Sequence, residues 1–141
     1  MDDLWPKDLA LSKVRTPLAI LKEQASLLGQ RTGGLVTAEI RRYERPPAIR
    51  LEDTDFGYGF DVVAPALGGY RYRLFSIYHG IALYPVTIEL DDEAMLEIDP
   101  ESKGRAVAAL DEAAFVRVLE RIFKAKKARR VIEALWAQSG A

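Results

Sequence analysis

His79 is the only histidine in the chain, and histidine is the side chain whose ordinary pKa suits proton transfer near neutral pH. General acid–base chemistry would therefore centre on this residue. A base alone fixes no reaction, and no serine or cysteine nucleophile motif lies near it. Its neighbours Tyr78 and Gly80 suggest a hairpin tip, where histidine is simply a turn residue. The chain contains no cysteine, which excludes a disulfide scaffold, a thiolate zinc site and a cysteine nucleophile. With one histidine there is no multi-histidine metal site either, and no cofactor or metal is expected.

Two carboxylate clusters could do chemistry. Asp91-Asp92-Glu93, with Asp99 and Glu101 beyond, offers hard oxygen ligands for Ca²⁺ or Mg²⁺, but it lacks the spacing and central glycine of a calcium-binding loop. Glu52-Asp53-Thr54-Asp55 could pair carboxylates for acid–base work, yet nothing in the sequence sets a second group against it. Both read as polar loops. The glycines form neither a dinucleotide fingerprint nor a phosphate loop.

Charge is unevenly spread. Residues 89–112 hold nine carboxylates against Lys103 and Arg105, whereas residues 113–141 hold seven basic residues against Glu120 and Glu133. Arg121, Lys124, Lys126, Lys127, Arg129 and Arg130 are the candidate nucleic-acid contacts, and Tyr70-Arg71-Tyr72-Arg73 superficially matches an aromatic stacking sheet. The net charge of −1 argues against that reading, as does the fit of basic residues to a helix C-terminus.

The elements that must position these groups are legible from periodicity. Thr16 is a plausible N-cap and Pro17 a first helical residue, followed by a stripe of Leu18, Leu21, Ala25 and Leu28, with Gly29 as the stop. From Leu35 the period becomes two: Val36, Ala38 and Ile40 alternate with polar neighbours. Pro46-Pro47 interrupts, and Ile49 and Leu51 suggest a short second strand. Phe56 to Ala64, Tyr70 to Ile77 and Ile81 to Leu90 read as further strands. Met95 to Ile98 and Ala106 to Ala109 suggest a last hairpin. Asp111 caps a helix carrying Phe115, Val118, Leu119 and Ile122; Val131, Ile132, Leu135 and Trp136 form a second stripe about half a turn away, so a break is expected near Lys124 to Lys127 and Trp136 should be buried.

Two hairpins agree on one register. A loop over 65–69 sets Ala64 opposite Tyr70, Val62 opposite Tyr72 and Phe60 opposite Leu74, with Asp61 beside Arg73. A Tyr78-His79-Gly80 loop sets Tyr72 opposite Val86 and Leu74 opposite Tyr84, with Glu89 diagonal to Arg71. Phe75, Ile77, Leu83 and Pro85 then cluster on the outward face. They are the candidate protein-contact residues, unless residues 4–15 fold over them as a covering arm.

The length of 141 residues suits one domain. The expected fold is α+β: a mainly antiparallel β-meander of four to six strands, packed by an N-terminal helix and one or two C-terminal helices. The leading functional expectation is a small interaction or regulatory module without catalytic chemistry, whose partner is another protein or a second copy of itself. The alternative is a small-molecule binder or enzyme with a pocket between sheet and helices, using Tyr58, Tyr72, Tyr84 or His79; nucleic-acid binding through 121–130 ranks third. The acidic start Met1-Asp2-Asp3 and the lack of any apolar run of about 18 residues favour a cytoplasmic location away from membranes.

Overall fold

The computed structural model describes residues 1–43, 55–101, 104 and 106–140. Ile49, Leu51 and all but Asp55 of the 52–55 cluster lie outside them. The order is α1 (Pro17–Arg31), β1 (Thr37–Tyr43), β2 (Phe56–Ala64), β3 (Tyr70–His79), β4 (Val86–Glu89), α2 (Asp92–Ile98), β5 (Ala106–Ala109), α3 (Glu112–Lys124) and α4 (Lys126–Ser139). The five strands form one antiparallel sheet in the order β1-β2-β3-β4-β5. The fold is α+β, as the sequence patterning indicates.

Helix α1 begins as expected: the Thr16 side chain accepts from the Ala19 N–H, and Pro17 is the first helical residue. It runs past Gly29 to Arg31 and ends where Gly33 and Gly34 adopt positive φ. The buried Thr32 hydroxyl holds that turn, donating to the Val36 carbonyl at 2.7 Å and accepting from its N–H at 3.0 Å.

The register of β2 on β3 is as read for Ala64–Tyr70, Val62–Tyr72 and Asp61–Arg73, and then shifts. A β-bulge places Phe60 opposite Phe75 instead of Leu74, so Tyr58 meets Ile77 and Phe56 meets His79. One extra residue on one strand reverses which side chains face inward. Phe75 and Ile77, expected outside, are 2 % and 0 % exposed, and they pack in the chain's own core. The loop to β4 is also longer than read. It spans residues 80–85 and includes Leu83 at positive φ and a cis Tyr84–Pro85 bond; His79 pairs with Val86 and Ile77 with Ile88. Tyr72 does not meet Val86, nor Leu74 meet Tyr84; Glu89 pairs with Ser76, away from Arg71.

The inner sheet face joins Phe60, Val62, Phe75, Ile77, Val86 and Ile88 to Ile20 and Leu21 of α1, Phe115, Leu119 and Ile122 of α3, and Leu135 of α4. Phe60 and Phe75 stack at 5.0 Å with Phe123 tilted against both. Residues 92–98 form a helix, in place of the strand that the pattern of Met95 to Ile98 suggests. Asp91 caps it by accepting from the Ala94 N–H, and Ala94, Met95 and Ile98 fall on one buried side, as a 3.6-residue period requires. Ala106–Ala109 therefore pairs with β4. The break between α3 and α4 is where it was expected, at an extended Ala125. Trp136 is 42 % exposed, because the buried side of α4 is set by Ala128 and Leu135 and one further residue turns it about 100° away.

Candidate interaction surface

His79 is the last residue of β3 and sits inside the fold, not at a turn. It is 4 % exposed, its ring stacks with Phe56 at 5.3 Å and Tyr58 at 6.0 Å, and Nδ1 lies 2.8 Å from the Gly80 carbonyl. Arg42 approaches the Phe56 ring at 5.9 Å. This aromatic stack gives the imidazole a packing role.

The four pocket candidates do not converge on one place. Tyr58 and His79 are neighbours. Tyr84 packs edge-on to Phe115, and its hydroxyl donates to the Arg15 carbonyl at 2.9 Å. Burial, reinforced by the Glu112 carboxylate, pushes its phenol up to about 12. Tyr72 lies at the opposite end of the strand under the Lys127 ammonium, 5.6 Å from its ring.

The basic run is answered from within the chain. Glu93 of α2 accepts from Lys127 at 3.0 Å and pairs with Arg130. Glu97 of α2 accepts the backbone N–H groups of Lys126 and Lys127 at 2.9 and 3.3 Å. Ala125 has no side chain to cap α4, and Glu97 supplies the missing acceptor together with negative charge at the helix N-terminus. Lys124 pairs with Glu120 and Arg129 with Glu133, each one helical turn apart, while Arg121 donates to the Ile98 carbonyl. The hydrogen bonds from Arg130 and Lys127 hold the Glu93 carboxyl below its ordinary value, and Lys124 does the same to Glu120. The acidic and basic segments thus meet each other, α2 against α4.

On the outer sheet face the Asp61 side chain is 4 % exposed and pairs with Arg73; Arg71 lies 3.9 Å away and also pairs with Glu39. The Arg73 guanidinium lies where a side chain on Gly59 would begin, so the glycine makes room for the pair. Arg73 also donates to the Ser76 hydroxyl at 3.4 Å. Leu83 and Pro85 are half-buried in the loop before β4, and with Phe75 and Ile77 inside, the four contact candidates do not form a surface.

Two further features lie outside those candidates: the N-terminal arm, which the sequence offers as a cover for the sheet, and a cleft that it does not single out. All residues from 1 to 15 are exposed, and they do not cover the sheet. Leu4, Trp5, Leu9 and Leu11 are 88 %, 74 %, 71 % and 96 % exposed. This arm is held at its far end, where the Arg15 N–H donates to Glu112 at 2.9 Å and the side chain pairs with Glu23. The second feature is an open cleft along the sheet edge. Lys22, Ala25, Ser26 and Gly29 of α1 and Thr37, Ala38 and Ile40 of β1 line it, and β1 pairs with β2 alone among the described residues. A small cleft lies at the end of α4 beside Glu133, Trp136, Ala137 and Gly140. Among the described residues no group of three or more His, Cys, Asp or Glu is gathered as for a metal, and no helix is long and apolar enough to cross a membrane. No family model, curated protein or solved structure matches the chain.

Proposed function

We propose that this chain is a protein-interaction module that reaches its partner through the apolar arm of residues 1–14. The carrying observation is the exposure of Leu4, Trp5, Leu9 and Leu11 beside a core that, among the described residues, includes none of them. Side chains of this type, brought together on one short segment and left in water, gain free energy when another surface covers them. The internal use of His79 in an aromatic stack, and of the basic run in ion pairs with α2, supports an interaction role over catalysis or nucleic-acid binding. A cytoplasmic setting belongs to the same proposal.

Placing a photo-cross-linking amino acid at Leu11 in the full chain tests this in its native cells. Cross-links from position 11 to a second polypeptide, its own kind included, are expected. Cross-links confined to the same chain would overturn the reading.

A further inference from the structure

We infer that the arm docks as an added strand on the β1 edge of a second copy, in a reciprocal arm-exchanged dimer; this rests on the interaction role proposed above. An edge strand leaves the N–H and C=O groups of alternate residues unpaired, and an extended peptide satisfies them while its alternate side chains enter the adjoining pocket. Among the described residues strand β1 offers such an edge, with the α1 cleft beside it.

The arm matches that edge in one antiparallel register. With Leu9 opposite Ile40, Leu11 falls opposite Ala38, and both point to the cleft lined by those β1 residues. At the intervening positions Asp8 then falls opposite Arg41 and Ser12 opposite Thr37, which also borders the cleft. Asp8 and Arg41 are both exposed, and opposite charges directly across a strand pair attract.

A chain cannot satisfy this register with its own arm. Its Arg15 is tied to Tyr84 and Glu112, at the end of the sheet marked by Tyr43, Phe56, His79 and Val86. Thr37 lies six residues from Tyr43 along β1, about 20 Å at the rise of a strand. Ser12 lies three positions from Arg15, a reach of at most about 11 Å. Back-docking on the same chain would have to run parallel, which places Asp8 near Thr37 and away from Arg41. Exchange between two copies meets the register twice about a two-fold axis.

Charge reversal separates exchange from back-docking. Dissociation of the full-length protein is measured by sedimentation, with circular dichroism confirming the fold, for wild type, Asp8→Arg, Arg41→Asp and an equal mixture of the two variants. Each single variant should dissociate on the order of tenfold more readily, since two pairs per dimer turn from attraction to repulsion. The mixture should regain wild-type association: the reversed arm meets the reversed edge, and the unaltered arm meets the unaltered edge. Leu9→Asp combined with Leu11→Asp should be monomeric and folded. A mixture that stays as weak as its components, or a dimer untouched by Leu9→Asp with Leu11→Asp, would overturn the exchange. A wild-type chain that is monomeric at every accessible concentration would also overturn it. In that last case cross-links from position 11 to a different polypeptide would leave the interaction role standing, whereas links within one chain would remove both.

Discussion

Residues 75–79 and residues 4–11 are similarly rich in large apolar side chains, yet one segment is the centre of the fold and the other stands in solvent. Phe75 and Ile77 are covered on the inner sheet face by Phe60, Phe123 and the helices. Leu4, Trp5, Leu9 and Leu11 stay mostly exposed among the described residues. Apolar content marks which segments need a partner surface, while topology decides whether that partner is the same chain. In β3 the surface is supplied by strands on either side; among the described residues the arm is tied to the rest of the fold at Arg15.

That contrast sharpens most at Phe75. Phe75→Ala should cost about 3–5 kcal/mol in denaturant unfolding, by lost transfer free energy and a cavity. A near-wild-type transition would place the core elsewhere. The outer-face pair should matter less. Arg73→Ala leaves the buried Asp61 carboxylate with Arg71 at 3.9 Å, and about 1–3 kcal/mol of stability should go with the lost bond. Gly59→Ala should move stability the same way, because its methyl occupies the place of the Arg73 guanidinium.

Ion pairing between α2 and α4 makes a smaller, pH-dependent contribution. The folded-state pKa of Glu93 is lowered, so its stabilisation is present above the ordinary carboxylate value of 4.5 and is lost as pH falls through the lower folded value. Unfolding midpoints of wild type and Glu93→Gln should therefore differ at pH 7 and converge in acid; a constant gap would show that Glu93 acts otherwise. Tyr84 behaves oppositely. Its pKa is raised from 10.0 to about 12, so its contribution is intact below pH 10 and is lost as pH rises toward 12. Tyr84→Phe should flatten that alkaline limb. Removal of residues 1–13 has the smallest expected effect on folding, within about 0.5 kcal/mol of wild type, since the described core includes none of them.

Much of the fold was legible because periodicity and caps are local. Thr16 and Pro17 announce α1, Asp111 announces α3, and the Asp61–Arg73 pair fixes the top of the β2–β3 hairpin. The bulge at Leu74 was not legible. Aromatic and β-branched residues occupy both parities around it, so alternation continues whichever face is inward, and the inserted residue leaves no mark in the pattern. That one residue carried Phe75 and Ile77 from a presumed contact surface into the core. Helix α2 was misread because seven residues hold too few periods to separate 3.6 from 2, although Asp91 stood in the cap position. Both charged segments were visible, but their meeting through Glu93, Glu97, Lys127 and Arg130 depends on long-range packing that no local window contains.

Hydrogen exchange on the full-length protein at low concentration tests the division between core and arm most directly. The amides of Phe75 to His79 should exchange only with global unfolding, while those of Leu4 to Lys13 exchange at the rate of an unstructured peptide and slow only as the protein associates. Strong protection of the arm amides in the dilute monomer would contradict the account, since the arm would then be packed on its own chain.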